Sequence, residues 1–319
     1  LELGGKRSSR VAIARNGTRE AELAARVRRL EVIRDTRVAF HSLQVVQERL
    51  RLARETEGLA RQVHQAVQSR IEAGKVSPIE GARTQVVLNA AERRARLAER
   101  EVVQARTRLS VLWGGESVAG DIAPLPPLPV TLALPPEDTS NSPELSRLTL
   151  EVERARAGVQ ASRAGTVPDI TLRVGTKREA VTRDQSLLAG VSLPLPLFNR
   201  NQGERRAAHA ELNAAEATLA AEKLQVTAEI TSQRQQLEAA YAEARALQDG
   251  VLGTAEQAFT ATQEGYRAGK FGLLELLDTQ RALIDARNAY LDSLLSYFQS
   301  QAALDRLLGR DVTVSGDTP

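Results

Sequence analysis

Two stretches of this chain nearly repeat each other, and the repeat limits the possible folds more than any other feature. Residues 71–88 read IEAGKVSPIEGARTQVVL and residues 266–283 read YRAGKFGLLELLDTQRAL. Ala73-Gly74-Lys75 falls on Ala268-Gly269-Lys270, Glu80 on Glu275 and Thr84-Gln85 on Thr279-Gln280, all at an offset of 195. The same offset carries Leu88, Leu109, Leu112 and Gly114 onto Leu283, Leu304, Leu307 and Gly309. Upstream, GGKRSSR at 4–10 resembles NQGERRAA at 201–208, at an offset of 198. Such a chain is two copies of one unit, and the first copy reads as lacking its beginning.

Each copy reads as a very long helix, a glycine interruption and a shorter helical return. In the second copy Leu212, Ala215, Leu219, Val226, Ile230, Leu237, Ala240, Ala244, Leu247 and Val251 follow steps of three, four and seven. That is a coiled-coil seam whose alanines permit close approach. The return helix repeats at seven through Leu276, Leu283, Tyr290, Tyr297 and Leu304. Residues 203 to 268 would extend roughly 100 Å as one helix, which no compact enzyme domain needs.

Composition agrees: 42% of residues are hydrophobic but only 3% aromatic, which suits narrow helical seams better than a thick aromatic core. The 43 basic and 40 acidic residues leave a net charge of +3 spread over mixed faces, without the basic, aromatic-interleaved stripe of a nucleic-acid binder. There is no cysteine, so disulfides and thiolate chemistry are excluded while the redox compartment stays open. The chain also has no methionine and starts abruptly at LELGGKR, which reads as a fragment or processed chain and leaves location open. No run approaches the ~18 apolar residues of a transmembrane helix.

Between the copies, PLPPLPVTLALPP at 124–136 must be extended. A fresh helix is expected from NSPEL, with Ser142 as N-cap, Pro143 at the first helical position and Glu144 in the first turn, running to about Ala164. In the following segment Ile170, Leu172 and Val174 alternate with Thr171, Arg173 and Gly175. After a polar turn, Leu187, Ala189, Val191, Leu193 and Leu195 alternate with Leu188, Gly190, Ser192, Pro194 and Pro196. Two strands of about ten residues, apolar on one face, fit either a lipid-facing barrel hairpin or a surface hairpin of a soluble α+β protein. No other sheet is in sight for the hairpin to join, which favours the barrel. Two strands cannot close one alone, so closure would need the missing first hairpin and several subunits.

With these features in hand, the chain resembles the TolC-like outer membrane efflux proteins. VSLPLPLFNRNQG and its weaker partner LELGGKR most resemble the branch serving cobalt-zinc-cadmium-type metal efflux pumps. The resemblance covers essentially the whole chain from the end of the first hairpin onward; the signal sequence, first helical segment and first barrel strands would lie before Leu1. It implies a mainly α fold with a β-barrel segment: duplicated, antiparallel coiled-coil helices forming a periplasmic tunnel, plus transmembrane hairpins. It also implies a homotrimer in outer-membrane lipid of a Gram-negative bacterium, a periplasmic adaptor and an inner-membrane pump of the RND type as partners, and no cofactor, catalysis or nucleic acid.

The expected division is 1–119 first repeat, 120–141 Pro-rich connector, 142–166 helix of the second repeat, 167–199 outer-membrane hairpin, 200–309 second repeat and 310–319 tail. Ile170, Leu172, Val174, Leu187, Ala189, Val191 and Leu193 would face lipid. The glycine turns would form the periplasmic tip, with Gly74, Lys75, Gly269 and Lys270 receiving the adaptor; the two lysines equally suit helix ends electrostatically.

By the same resemblance, Glu80, Tyr266, Lys270, Glu275 and Asp278 would form the periplasmic gate or constriction, tyrosine–acid hydrogen bonds helping to close it. Glu275 and Asp278 lie one turn apart on one helix face, and threefold symmetry would stack them as two carboxylate rings attracting cations. The family pattern has an arginine where this chain has Phe271, so Lys270 is the candidate substitute, though a lysine is a point charge and not a fork. His41, His64 and His209 are too scattered for a metal site. Trp113 stands where Leu308 stands in the second copy and is expected in the core. The competing reading is a soluble periplasmic coiled-coil adaptor or structural protein with a small α+β domain.

Overall fold

A computed structural model describes residues 1–115, 120, 122–136, 138–178, 185–195 and 197–310. The chain is mainly helical. In order, it comprises α1 (Lys6–Glu72), α2 (Pro78–Val111), α3 (Pro143–Ala164), β1 (Thr171–Arg178), β2 (Gln185–Ser192), α4 (Gln202–Ala246), a π-helical segment (Leu247–Leu252), α5 (Gly253–Arg267) and α6 (Leu273–Leu307). Among the described residues no helix is long and apolar enough to cross a membrane. The polar turn expected between the strands and the tail beyond Arg310 lie outside the described residues. Contacts divide the chain into two compact units.

The first unit contains Leu1–Arg29, Glu137–Ile230 and Leu307–Arg310. Its hairpin is antiparallel, pairing Leu172 with Val191, Val174 with Ala189 and Thr176 with Leu187. Directly opposed residues share a face, so Leu172, Val174, Leu187, Ala189 and Val191 make one apolar surface. The other face carries Thr171, Arg173, Gly175 and Lys177 opposite Ser192, Gly190, Leu188 and Ser186. Val174, Leu187 and Val191 are 79%, 76% and 72% exposed. The strands are eight residues long rather than ten, which leaves Ile170 and Leu193 outside them. Ile170 instead exchanges two backbone hydrogen bonds with Leu1, and Lys6 is paired with Asp169 at 2.7 Å. On the far side of the hairpin Asn201, at φ 57°, donates its amide to the Ser162 carbonyl near the end of α3. Gly165 is close beneath that amide, so the turn between strand and helix is pinned.

α3 starts where its sequence says, with Pro143 at its first position, but the Ser142 hydroxyl makes no capping bond and is buried without a partner. The Ser142 backbone carbonyl accepts from Ser146 instead.

The second unit contains Leu30–Pro136 and Thr231–Arg306. Its helices pack in pairs, α2 on α1, α1 on α6 and α6 on α5, and Tyr266 of α5 also reaches Arg70 of α1. On α2 the buried positions Gly81, Thr84, Leu88, Ala91, Ala95, Ala98, Val102, Ala105 and Leu109 advance in alternating steps of three and four, with Ser110 also buried at the helix end, the pattern of a coiled-coil seam. They meet Ala60, Ala53 and Leu43 of α1. α1 then meets α6 through Val45 and Leu52 with Leu291, and Arg287 ties α6 to Glu256 of α5 at 2.9 Å.

The seam expected on the second long helix holds through Leu237 and Ala244, both fully buried, but Val251 is 45% exposed. The π-helical segment accounts for this. One wider turn takes in an extra residue, and the inward positions move on to Leu252 and Ala255.

The Pro-rich connector is extended, as its prolines require. Extended polyproline has no internal hydrogen bonds, so its carbonyls are met by side chains. Gln44 donates to Ala123 and Pro124, Tyr241 to Pro129 and Val130, and Arg234 to Pro135. His41 bonds Gln44 and stacks on Phe298, centroids 4.0 Å apart, and burial pushes its pKa down. Trp113 is 52% exposed, contrary to expectation, whereas Leu308 is buried. Trp113 follows the end of α2 and folds its indole over Gly115, while the Gly309 after Leu308 is packed tightly against the Asn141 backbone.

Candidate functional site

The two repeated turns lie in the second unit and share one construction. α1 ends with Gly74 at φ 68°; the Lys75 N–H donates to the Arg70 carbonyl at 2.8 Å and the Gly74 N–H to the Ile71 carbonyl at 2.9 Å. α5 ends with Gly269 at φ 73°; the Lys270 N–H donates to Gly265 at 2.8 Å and the Gly269 N–H to Tyr266 at 3.1 Å. Both are Schellman motifs, whose left-handed residue is glycine because a β-carbon is strained there.

The helices leaving the turns also start alike. Ser77 caps α2 by accepting from the Ile79 N–H, with Pro78 next and Glu80 in the first turn. In the second copy Gly272 precedes α6, and the Glu275 carboxylate folds back so closely that a β-carbon on Gly272 would lie 2.6 Å from its Oε2. Thus the acid six residues after each glycine sits in the first turn of a helix, where the helix dipole favours negative charge. The repeated threonines have a shared role too. Thr84 Oγ1 donates back to Glu80 and Gly81, and Thr279 Oγ1 to Glu275 and Leu276. Thr84 also bonds the Nδ1 of His64 at 2.9 Å.

The turns meet over a cluster of Val63 and Val67 from α1 with Leu273 and Leu276 from α6, against which Ile71, Val76 and Tyr266 pack. This brings together Gly74, Lys75 and Glu80 on one side and Tyr266, Gly269, Lys270 and Glu275 on the other. Glu80 and Tyr266 are half-buried, while Lys75, Lys270, Glu275 and Asp278 are exposed. Among the described residues no hydrogen bond joins Tyr266 to Glu80 within the chain. The Tyr266 ring instead lies under the Arg70 guanidinium, 5.3 Å from centroid to carbon. Asp278 lines a groove of about 880 Å³ between α2 and α6, facing Arg93 and Arg94 across apolar Val86 and Leu277.

Sequence reasoning missed Arg70 and the seating of Phe271. The repeat contained the signal: at the common offset Arg70 stands opposite Gly265, and Val76 opposite Phe271. The absent side chain at Gly265 is filled by the Phe271 ring, 2.1 Å from where a β-carbon would sit.

Comparison with known proteins agrees with this architecture. The model of the outer membrane efflux protein family matches residues 1–115 and 134–310. The chain is 34% identical over 315 residues to the cobalt-zinc-cadmium resistance protein CzcC of Cupriavidus metallidurans, covering 97% of this chain and 75% of that protein. It is 29% identical over 313 residues to the nickel-cobalt-cadmium resistance protein NccC of Alcaligenes xylosoxydans xylosoxydans, covering 97% and 71%. Among solved structures it is similar to the channel-forming CusC, with a TM-score of 0.81 at 17% identity over 97% of this chain and 75% of that one. The outer membrane protein VceC of Vibrio cholerae gives 0.81 at 19% identity over 97% and 77%. These findings set aside the soluble adaptor reading: the chain belongs to the outer membrane efflux protein family.

Proposed function

We propose that this outer-membrane efflux channel is the passive exit duct of a tripartite pump, working as a homotrimer with a periplasmic adaptor and an inner-membrane RND pump, and that its cargo is heavy-metal cations. The family is one of channels rather than enzymes. The observation that carries the duct reading is the hairpin. Its apolar face is fully exposed on the single chain, and an isolated two-stranded sheet is marginal in water. Hydrocarbon on that face, and closure of the strand edges by further strands, satisfy both needs. In this reading Leu172, Val174, Leu187, Ala189 and Val191 face lipid, joined beyond the strand ends by Ile170 and Leu193.

The glycine turns form the periplasmic tip. Gly74, Lys75, Gly269 and Lys270 present the exposed ends of both hairpins of helix to the adaptor, and Glu80, Tyr266, Lys270, Glu275 and Asp278 surround the constriction. Symmetry converts the exposed Glu275 and Asp278 into carboxylate rings that attract cations in transit without holding them. The metal cargo rests on the names of the cobalt-, zinc-, nickel- and cadmium-resistance relatives.

Reconstitution of the full-length protein tests this. A detergent-resistant trimer whose residues 172, 174, 187, 189 and 191 are labelled by a lipid-borne probe is the expected outcome; a soluble monomer with water-accessible strands sinks the duct. For the cargo, deletion of the gene is expected to sensitise cells to cobalt, zinc or cadmium salts, and unchanged tolerance to all three removes the metal assignment.

A further inference from the structure

We propose that a cation–π latch between Arg70 and Tyr266 yokes the two tip turns of each chain and holds the aperture narrow, in place of a tyrosine–acid hydrogen bond. The inference rests on the tip being the constriction and adds how it is held. Arg70 is fixed at its backbone, because its carbonyl receives the Lys75 N–H that closes the first turn. Tyr266 is fixed likewise, its carbonyl receiving the Gly269 N–H of the second turn. The guanidinium lies over the ring at 5.3 Å, inside the range of a productive cation–π contact. Both side chains are half-buried, which strengthens the contact over one in open solvent. Each partner therefore belongs to a different turn, and displacing either turn breaks the contact.

A second pair of contacts seats the partners. Phe271 fills the space over Gly265, next to Tyr266 in sequence, and the Phe271 N–H also reaches the Gly265 carbonyl at 3.3 Å. Ile71, next to Arg70, lies against Gly81, where a β-carbon would be 2.7 Å from its Cδ1. Phe271 thus has a packing role at the position where the family pattern places an arginine, and the latching cation comes from the other copy of the repeat. The hydroxyl of Tyr266 has no part in this arrangement, so ring and hydroxyl can be separated by experiment.

Residues 1–319 contain no cysteine, so within them spin labels attach only at introduced sites. Labels at Ala73→Cys and Ala268→Cys, in full-length protein diluted with unlabelled chain so that each assembly holds one labelled copy, report the separation of the turns. A narrow distance distribution is expected with the latch intact. Arg70→Gln and Tyr266→Leu are expected to broaden it, while Arg70→Lys and Tyr266→Phe keep it narrow because cation and ring survive. In planar bilayers Arg70→Gln is expected to raise open probability by roughly threefold or more. A distribution indifferent to Arg70→Gln overturns the latch. So does Tyr266→Phe opening the channel as much as Tyr266→Leu, since that puts the hydroxyl at work. Protein that never conducts refutes the aperture reading instead, and the distance measurement still decides the latch.

Discussion

The two tip turns share a backbone and differ in where each is filled. In the first, the bulky residue lies on the outgoing helix and the glycine on the return: Ile71 covers Gly81. In the second the order is inverted, since Gly265 on α5 is covered by Phe271 while Leu276 of α6 is buried. The left-handed glycines and first-turn acids are common to both copies because the reversal itself requires them. Arg70 and Gly265, Ile71 and Tyr266, and Val76 and Phe271 have diverged, and that divergence gives each turn one half of a contact that neither could make alone. Duplication supplied the scaffold; asymmetry between the copies supplies the coupling.

The largest expected effect falls where that asymmetry is tightest. Gly265→Ala places a β-carbon within 2.1 Å of the Phe271 ring and is expected to destabilise the second turn by about 1–3 kcal/mol. Arg70→Ala, at the equivalent position of the first copy, removes the half-buried cation of the contact and loses about 1 kcal/mol. Thermal unfolding of the two variants compares them, and equal losses would erase the distinction.

Next come the features held in common. Gly74→Ala and Gly269→Ala are each expected to lose about 1 kcal/mol, and similarly, because both sit at positive φ with open space around them. Unequal losses would show that the turns do not share their motif.

Smaller still is the difference between the caps. Ser77→Ala removes the acceptor for Ile79 and loses roughly 1 kcal/mol, whereas Glu275→Gln, acting on the helix dipole from an exposed site, loses about 0.5 kcal/mol or less. Denaturant midpoints resolve the two.

Away from the tip, the His41 stack gives a pH dependence. Burial lowers the His41 pKa below its ordinary value of about 6.5, against a smaller opposing contribution from Gln44. The unfolded chain therefore binds this proton more readily than the folded one. The contribution to stability is fully present above about pH 6.5 and is lost as pH falls through the lowered folded value. His41→Phe is expected to flatten that slope in thermal melts; an unchanged slope assigns the dependence elsewhere.

Much of the fold was legible because it follows local rules. A left-handed position demands glycine, so the turns showed through the repeat. A strand has a period of two, so the apolar face of the hairpin was readable before its register was known. The starts and stops of α3 were equally plain. The π-helical segment was not, since one wide turn needs no distinctive residue and shows only as a slip in the buried stripe after Ala244. Trp113 was misplaced because alignment with Leu308 carries over a position, while burial depends on what packs beyond the helix end. At the site, the repeat marks the two left-handed glycines and the first-turn acids Glu80 and Glu275, but nothing in it marks a partner for Arg70. Its partner is brought near only by the packing of α1 against α6 and α5, a distant contact that neither periodicity nor local motif encodes.

Single-channel recording with the full-length protein tests the central claim most directly, that this tip is the constriction of an efflux duct. Multivalent cations added on the periplasmic side are expected to block the current, and Glu275→Ala with Asp278→Ala is expected to weaken that block while conduction persists. Block that is unchanged in the double variant would contradict the account.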